Sequence, residues 1–538
     1  MKIVLAEKVS PATLAVLREE PTFTIITADE VRPADQGGLA AEIADADGLV
    51  VRSAVQVNAA LLEHAKQLRV IGRAGVGVDN IDADAATRKG IVVMNTPGAN
   101  AIAVAELSIG LMIALARQLP KANISMHAGR WEKKSLEGRE LRGKTLGILG
   151  LGRIGQEVAR RARIFGMELA AYDPFISPAL ARENGVRLVE LEELWTISDF
   201  LSLHVGLSPQ THGIINSATI QKMKPGVRII NCARGELIVD ADLVAAIKSG
   251  QVAGAALDVF HQEPLKDSAF TAFENVILTP HIAGSTRESQ EAVGIQIARQ
   301  VRDYLKLGIA QNAVNLPSLT HEEFLVIAPY LDMAERLGSF LGQVTDGNVE
   351  SVQIAYNGSL AAQKTELVRS AAIAGILGTS QSVNRINAAA IAERRGIRIS
   401  EDKNETGAPA LVLTLHTQTG ARSATGTVLH GNSPRLLNAH GIDVEAPLHG
   451  RLLCIRNQDV PGVIGRVGTL LAEHGINIAN FALGRPRVGV QATPSAEAAP
   501  QGQAFAVVQV EGAITPDLLV QLRKQPAIIS ARLVDLPE

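Results

Sequence analysis

The chain has 538 residues, of which 46% are hydrophobic and 20% are charged. This length and composition predict a globular protein of three or four domains. The formal net charge of −3 gives no electrostatic reason to expect a nucleic acid or an acidic membrane surface as a partner. Only two cysteines occur, Cys232 and Cys454, which excludes a disulfide framework and fits a reducing compartment. We therefore expect a cytoplasmic protein.

The first hundred residues alternate short apolar runs with helical patterns, which predicts a parallel β/α sheet. The predicted strands lie at residues 2–6, 23–27, 48–52, 69–72 and 92–95. Glu106 and Arg117 interrupt the most hydrophobic stretch, residues 101–119, so we expect a buried helix there and no membrane span. An early charge also argues against a secretory signal.

A second alternating series runs to about residue 282 and carries a glycine motif. Gly150, Gly152 and Gly155 are spaced as GxGxxG between a predicted strand and helix, and Asp173 ends the next strand. The glycines allow a tight turn, close approach of a pyrophosphate and close helix packing, while the helix N-terminus favours an anion. Asp173 can accept hydrogen bonds from both ribose hydroxyls and would repel a 2′-phosphate. The pattern therefore predicts NAD in preference to NADP.

Three polar segments fall at the ends of later strands in the same series, at residues 231–236, 258–264 and 279–284. Loops at the carboxyl ends of parallel strands line the ligand crevice of such sheets. Oxidation of a 2-hydroxy acid needs a base, a cation for the carboxylate and an acid that orients the base. We assign these roles to His281, Arg234 and Glu263, although each alone could be an ordinary turn, surface or helix-boundary residue. Cys232 lies in an apolar setting that favours a small buried residue over a nucleophile.

The remaining chain predicts further units. An amphipathic helix at residues 287–307 is expected to cross back and complete the first domain. Residues 318–450 are of mixed character and show no catalytic cluster, with a helix predicted at 324–343 and strands at 351–356, 410–416 and 425–430. From residue 451 the order strand, helix, strand, strand, helix, strand resembles a ferredoxin-like βαββαβ module. Residues 486–503, rich in small and polar residues, are predicted to form a mobile loop within it.

Taken together, these segments resemble the D-isomer-specific 2-hydroxyacid dehydrogenases, in their long form. The resemblance rests on GRAGVGVDNID (72–82), NTPGAN (95–100), GILGLGRIG (147–155), NCARGE (231–236), DVF with QEP (258–264) and TPHIAGST (279–286). It implies an α/β fold in which a Rossmann-type NAD-binding domain is inserted in a flavodoxin-like substrate domain, followed by an α+β intervening domain and a ferredoxin-like ACT domain. The implied bounds are 1–98 with 283–316 for the substrate domain, 99–282 for the NAD domain, 317–450 for the intervening domain and 451–538 for the ACT domain.

The same resemblance implies NAD-dependent oxidation of 3-phospho-D-glycerate to 3-phosphohydroxypyruvate, the entry to L-serine synthesis, with Arg234, Glu263 and His281 as catalytic residues and no metal. The implied cofactor-binding residues are Gly150, Gly152, Arg153, Ile154, Gly155, Asp173, Pro174, His204, Thr211, Cys232, Ala233, Asp258, Ala283 and Gly284. A phosphate needs cations, which Arg52 and Arg73 offer at strand ends. The implied substrate-binding residues are Arg52, Ser53, Arg73, Gly75, Val76 and Asn100.

ACT domains are small-molecule sensors, and the resemblance places Asp459 and Asn477 where an L-serine effector would bind. Ordinary turn chemistry is the alternative for both residues. Asn457 stands where some serine-sensing relatives carry a ring side chain, so serine sensitivity stays open. The resemblance also favours a homotetramer.

Three other functions fit parts of the sequence. A glyoxylate or hydroxypyruvate reductase would share the core loops, but the appended sensor argues against it. A NAD-responsive corepressor-like binding protein would need a groove for a partner peptide, of which the sequence gives no sign. An amino-acid sensor without turnover would leave Arg234, Glu263 and His281 unexplained.

Overall fold

The structure is a computed structural model that describes residues 1–33, 36–378, 383–486 and 502–537. Most of the predicted loop at 486–503 lies outside the described residues. Within the described part, the strands form four sheets of five, seven, six and four strands. No single described helix is long and apolar enough to cross a bilayer.

The first sheet is wholly parallel, with strand order β2-β1-β3-β4-β5. Its strands are β1 (Lys2–Leu5), β2 (Thr24–Ile26), β3 (Gly48–Val51), β4 (Val70–Arg73) and β5 (Val92–Met94). Its connecting helices are α1 (Pro11–Arg18), α2 (Gly38–Ile43), α3 (Ala59–Glu63) and α4 (Ala83–Arg88). The buried residues on its two faces form separate clusters, as expected for a sheet covered on both sides.

The second sheet is also parallel, with order β12-β11-β10-β9-β6-β7-β8, and the strand order reverses between β6 and β9. Its strands are β6 (Thr145–Leu149), β7 (Glu168–Tyr172), β8 (Arg187–Leu188), β9 (Phe200–Leu203), β10 (Val227–Asn231), β11 (Val252–Leu257) and β12 (Val276–Leu278). Its helices are α7 (Arg153–Ile164), α8 (Pro178–Glu183), α9 (Leu191–Ile197), α10 (Ser217–Lys222) and α11 (Asp240–Ser249). This is a Rossmann-like doubly wound sheet, whose ligands bind where the strand order reverses.

Two segments connect the first two sheets. The helix predicted at residues 101–119 is buried but breaks into α5 (Ala101–Ala116) and α6 (Leu119–His127), which are bent by 64°. The break occurs at Gln118, whose φ of 51° is left-handed and incompatible with a continuous helix. The second segment is α12 (Arg287–Leu307), whose residues Ile297 and Val301 are fully buried in the core of the first sheet.

The third sheet has order β14-β13-β15-β16-β17-β18 and is antiparallel except for the β13–β14 pair. Its strands are β13 (Val349–Asn357), β14 (Arg398–Asn404), β15 (Ala410–Thr417), β16 (Gly420–Leu429), β17 (Ser433–Ala439) and β18 (Ile442–Pro447). Its helices are α13 (His321–Val344), α14 (Thr365–Leu377) and α15 (Ala388–Arg394).

The fourth sheet is antiparallel, with order β20-β21-β19-β22, and has the predicted βαββαβ succession. Its elements are β19 (Arg451–Gln458), α16 (Val463–Glu473), β20 (Asn477–Gly484), β21 (Gln503–Glu511), α17 (Pro516–Arg523) and β22 (Ile528–Asp535). One face packs on α16 and α17. The other face shares a single core with the third sheet, through Leu452, Phe505 and Val507. The two C-terminal sheets are therefore joined by an apolar interface.

Candidate active site

The glycine loop joins β6 to α7 at the point where the strand order reverses. Gly150 has φ of 93°, and a Cβ atom on Gly155 would lie 2.2 Å from the Gly150 carbonyl oxygen, so both positions require glycine. A Cβ on Gly152, the N-cap of α7, would meet no atom within 4 Å. The loop therefore presents open backbone at a helix N-terminus, which fits the pyrophosphate of a dinucleotide.

Asp173 follows β7 and lies beside this loop. Its Oδ2 accepts a hydrogen bond from the Leu151 amide at 2.8 Å, and its Oδ1 accepts one from the Phe175 amide at 2.9 Å. The carboxylate thus stands at the place where the ribose of a bound dinucleotide is expected. Pro174 and Phe175 beyond it are exposed, Phe175 by 93%.

Two other residues predicted to contact the cofactor are the first two residues of α7. Arg153 donates from Nη1 to the Pro97 carbonyl oxygen, so its guanidinium faces the segment that links the two sheets. Ile154 packs on the core of the second sheet.

His204 follows β9 and is partly buried, and its backbone carbonyl would be 2.8 Å from a Cβ on Gly150. Burial lowers the pKa of its imidazole to about 4, so the ring is neutral at pH 7. Nε2 bonds to Ser202 Oγ at 2.8 Å, whereas Nδ1 is buried and has no hydrogen-bond partner among the described residues. An orphaned ring nitrogen beside the glycine loop fits a site completed by a polar ligand.

Other residues predicted to contact the cofactor have structural partners of their own. Thr211 Oγ1 donates to the Gly206 carbonyl at 2.7 Å within a local turn. Cys232 is buried, and burial raises the pKa of its thiol to about 12, which excludes a thiolate nucleophile at neutral pH. The Ala233 amide donates to Asn231 Oδ1 at 3.0 Å.

His281 and Glu263 lie together at the ends of β12 and β11. His281 Nδ1 is 2.7 Å from Glu263 Oε2, and Glu263 Oε1 accepts from the Phe260 amide at 3.0 Å. This contact fixes the ring through Nδ1 and leaves Nε2 for proton exchange with a ligand. The histidine side chain is 52% exposed, so a ligand can reach it.

Asp258 holds the loop that carries His281. Its carboxylate is fully buried and accepts from Thr279 Oγ1 at 2.5 Å, the Ile282 amide at 2.9 Å and the Ala283 amide at 2.8 Å. A buried carboxylate with three donors is a stable anchor. The carboxylate of Asp258, predicted to contact the cofactor, is therefore directed at the loop.

Arg234 follows β10 and reaches the first sheet. Its Nε and Nη2 lie 3.1 and 3.0 Å from Asp79 Oδ2, and its Nη1 donates to the Ala233 carbonyl at 2.7 Å. Asn231, fully buried, donates from Nδ2 to the Arg234 carbonyl at 2.8 Å. Asp79 and Asn231 are absent from the predicted site, although both lie in the motifs that carry the family resemblance. The orientation of Arg234 depends on both.

The side chains predicted to bind substrate lie at the carboxyl edge of the first sheet. Arg52 and Ser53 follow β3, and Arg73 ends β4. Burial lowers the pKa of the Arg73 guanidinium, with a further contribution from Arg234, so these two cations are close together. Arg73 Nε is buried without a hydrogen-bond partner among the described residues. A cluster of partly buried cations with a free donor suits an anionic ligand.

The remaining predicted contacts lie on the same rim. Val76 accepts from Asn95 Nδ2 at 2.5 Å, and the Gly75 carbonyl accepts from the Thr96 amide at 3.0 Å. Asn100 Oδ1 is buried without a hydrogen-bond partner in the described residues, and its Nδ2 would be 3.3 Å from a Cβ on Gly284. The rim therefore brings the first sheet close to the loop after His281.

The two predicted effector residues do not meet within one chain. Asp459 follows β19 and pairs with Arg485 Nε at 2.9 Å. Asn477 begins β20 and donates to Glu511 Oε2 at 2.7 Å. Asp459 lies beside Gly502, just before β21, and Asn477 pairs with Glu511 at the end of β21, so the two residues stand roughly 25 Å apart at the usual rise of a strand.

Three family profiles match successive parts of the chain. Residues 109–283 match the D-isomer specific 2-hydroxyacid dehydrogenase, NAD binding domain. Residues 326–440 match the D-3-phosphoglycerate dehydrogenase intervening domain, and residues 451–519 match the ACT domain.

The chain is similar along its length to proteins named D-3-phosphoglycerate dehydrogenase. The Methanocaldococcus jannaschii protein is 41% identical over 500 residues, which cover 92% of this chain and 93% of the relative. The Bacillus subtilis protein is 37% identical over 543 residues, with all of both chains covered. The human protein is 38% identical over 493 residues, covering 89% of this chain and 92% of the relative.

Solved structures resemble the N-terminal part in fold. A glyoxylate reductase from Paecilomyes thermophila has a TM-score of 0.53 at 32% identity, covering 58% of this chain and 98% of its own. A D-lactate dehydrogenase from Aquifex aeolicus in complex with NAD and lactic acid has a TM-score of 0.52 at 28% identity, covering 59% and 100%. An NAD⁺-bound 3-phosphoglycerate dehydrogenase from Entamoeba histolytica has a TM-score of 0.50 at 32% identity, covering 59% and 99%.

Proposed function

The chain belongs to the D-isomer-specific 2-hydroxyacid dehydrogenases, in the branch with a D-3-phosphoglycerate dehydrogenase intervening domain and an ACT domain, and we propose that it oxidises 3-phospho-D-glycerate to 3-phosphohydroxypyruvate. It is an NAD-dependent dehydrogenase. The observation that carries the proposal is the His281–Glu263 pair at 2.7 Å, at the carboxyl edge of the same parallel sheet as Arg234 and the glycine loop.

The residues of the crevice divide the reaction between them. The glycine loop and Asp173 would hold NAD, which would supply the acceptor for the hydride of the substrate C2. His281 Nε2 takes the proton of the C2 hydroxyl, and Glu263 stabilises the imidazolium that forms. Arg234 binds the substrate carboxylate through the guanidinium N–H groups that do not donate to Asp79 or to the Ala233 carbonyl. This contact fixes C2 in the crevice. In the reverse direction His281 returns the proton to the keto oxygen.

The phosphate of the substrate is assigned to Arg52, Ser53 and Arg73. Arg52 and Arg73 bring two positive charges to the carboxyl edge of the first sheet, and the Ser53 side chain is exposed there. Arg73 Nε is buried and has no partner in the described part of the chain, which supports this assignment because an anion would supply the acceptor. An unphosphorylated acid such as glyoxylate would not supply this acceptor.

We assign each domain by the part it plays in the proposed enzyme. Residues 1–98 with 283–316 form the substrate domain, 99–282 the NAD domain, 317–450 the intervening domain and 451–538 the ACT domain. The shared core of the third and fourth sheets supports treating the last two as one regulatory body.

We also propose that the protein works in the cytoplasm as a homotetramer that begins L-serine synthesis and senses L-serine. The separation of Asp459 and Asn477 within one chain supports an effector site formed between two ACT domains, since one chain alone does not bring them together.

A substrate panel tests the proposed reaction. The full-length protein is assayed at 340 nm for NADH oxidation with 3-phosphohydroxypyruvate, hydroxypyruvate and glyoxylate at equal concentrations. We expect kcat/KM for the phosphorylated acid to exceed that for either unphosphorylated acid by at least about tenfold, since a phosphate paired with arginine gains charge-assisted hydrogen bonds. Equal or greater activity on hydroxypyruvate or glyoxylate would contradict the proposal and favour a reductase of those acids.

A further inference from the structure

Side chains from other segments hold the backbone of the loop after β3 through several hydrogen bonds. Residues 52–55 carry Arg52 and Ser53, which the proposed function assigns to the substrate phosphate, and the inference below rests on that assignment. Glu7 lies two residues beyond the end of β1, the strand that pairs directly with β3. Its side chain therefore reaches the loop from the neighbouring strand.

One carboxylate binds three amides of this loop. Glu7 Oε1 accepts from the amides of Arg52 at 2.8 Å and Val55 at 3.1 Å, and Oε2 accepts from the Ala54 amide at 3.3 Å. Hydrogen bonds to an ionised acceptor are stronger than those between neutral groups. Glu7 thereby fixes the donor side of the loop backbone.

A second side chain holds the acceptor side of the same loop. Asn80, only 9% exposed, donates from Nδ2 to the carbonyl oxygens of Arg52 at 3.0 Å and Val55 at 2.7 Å. Glu7 and Asn80 together satisfy five polar groups of residues 52–55. We call this pair the loop clamp.

The Arg52 side chain is held separately from the backbone. Nη2 donates to Gln290 Oε1, and Nη1 donates to the Lys8 carbonyl at 3.3 Å. Gln290 in turn donates from Nε2 to the carbonyl of Gly284 at 2.8 Å, three residues after His281. Hydrogen bonds thus connect the Arg52 guanidinium, which is proposed to bind the phosphate, to the loop that carries His281. The loop clamp fixes the backbone from which the Arg52 side chain extends.

We propose that Glu7, acting with Asn80, is a positioning residue that sets the selectivity of the crevice for phosphorylated over unphosphorylated acids. Glu7 does not touch the substrate. It holds Arg52 and Ser53 where both can bind one phosphate. The conformational entropy of residues 52–55 is therefore lost on folding, before the substrate binds. A loop without the clamp would lose binding energy only for substrates that carry the phosphate.

The test is Glu7→Gln in the full-length protein, because an amide of the same size offers one acceptor oxygen and one donor to the three amides. We expect KM for 3-phosphohydroxypyruvate to rise about tenfold, because the hydrogen bond from the Ala54 amide is lost and the amides of Arg52 and Val55 lose a charged acceptor. We expect kcat for that substrate and kcat/KM for hydroxypyruvate to stay within about threefold. Glu7→Asp, which keeps the charge but shortens the reach, should give a smaller loss in the same direction.

A matched control is Asp47→Asn. Asp47 Oδ2 also accepts a backbone amide, that of Lys2 at 2.8 Å, but at the opposite edge of the same sheet. This variant should leave the ratio of the two kcat/KM values unchanged, and NADH affinity should be unchanged in all variants. The proposal is wrong if Glu7→Gln and Glu7→Asp lower activity on both acids by the same factor, or leave both unchanged. A wild type that does not prefer the phosphorylated acid contradicts the proposed substrate instead, because that result precedes any substitution.

Discussion

The acidic side chains of the crevice differ in role because they differ in burial and partners. Asp258 is fully buried and bonds only to the loop that carries His281. Glu263 is 36% exposed and bonds to the imidazole itself. Asp79, 65% exposed, pairs with Arg234 across the two sheets. Three carboxylates thus anchor the loop, orient the His281 imidazole and orient the Arg234 guanidinium.

The contacts of Asp173 lead to a testable prediction. Its carboxylate supports the glycine loop through Leu151 and is proposed to bind the ribose hydroxyls, so Asp173→Ala should weaken NADH binding about tenfold. Removal of the negative charge should also raise the affinity for NADPH relative to NADH. Fluorescence titration of both nucleotides measures these effects.

Asp173→Asn is the control for charge, since it keeps one acceptor oxygen and removes the negative charge. It should retain more NADH affinity than the alanine variant. Unchanged affinities for both nucleotides in Asp173→Ala would contradict the assignment.

At the scale of elements, the sequence predicted those whose pattern is strong and whose ends are capped. The helix predicted at residues 287–307 matches α12 residue for residue. Thr286 caps α12 at its start, and Gly308 ends it in a left-handed conformation. These signals are local, so the sequence carries them directly.

Other elements were not predicted because neighbouring strands define them. β14 is mostly exposed along its length and forms only by pairing with β13. β8 has two residues, and the bend between α5 and α6 depends on the backbone of Gln118. Hydrophobic periodicity does not detect features of this kind.

The turn between β17 and β18 gives a prediction at this scale. His440 lies there, in edge-to-face contact with Phe505 of β21 at 5.7 Å between ring centroids. Burial, reinforced by Arg422, Arg456 and Arg532, lowers its pKa to about 4 from an ordinary value of 6.5. The unfolded chain binds the proton more readily, so stability is complete above pH 6.5 and is lost as the pH falls towards 4.

Protonation of His440 should lower the free energy of unfolding by up to about 1.4 kcal/mol for each pH unit between pH 6.5 and pH 4. His440→Asn removes the titration and suits the φ of 54°, so it should reduce the loss of unfolding free energy between pH 7 and pH 5. Urea unfolding at both pH values measures this difference. His430→Asn, at an exposed position with φ of 51°, is the control and should keep the wild-type dependence. Equal losses in wild type and His440→Asn would refute the prediction.

At the scale of the whole molecule, the crevice is built by two sheets that are far apart in sequence. Asp79 and Arg234 are separated by 155 residues, and Arg52 and Gln290 by 238. The sequence predicts Arg234, Glu263 and His281 as site residues because each follows a strand of one sheet, and strand ends meet at one edge. Asp79, Glu7 and Gln290 were missed because their contacts depend on how the first sheet and α12 close on the second.

The C-terminal units also contact the first sheet. Asn384 donates from Nδ2 to the Gly90 carbonyl at 2.9 Å, next to β5. The regulatory body therefore touches the sheet that carries Arg52 and Arg73, although no substrate or cofactor residue is predicted at the contact itself.

The proposed mechanism requires that His281 exchanges the proton with the substrate, while the nucleotide binds at another place in the crevice. The most direct measurement is turnover of 3-phosphohydroxypyruvate by His281→Asn, with NADH affinity measured on the same preparation. We predict a kcat at least about a hundredfold below wild type, as is typical when a general acid–base group is removed, and an NADH Kd within twofold of wild type. A kcat within twofold of wild type, or a loss explained wholly by weaker NADH binding, would contradict this claim.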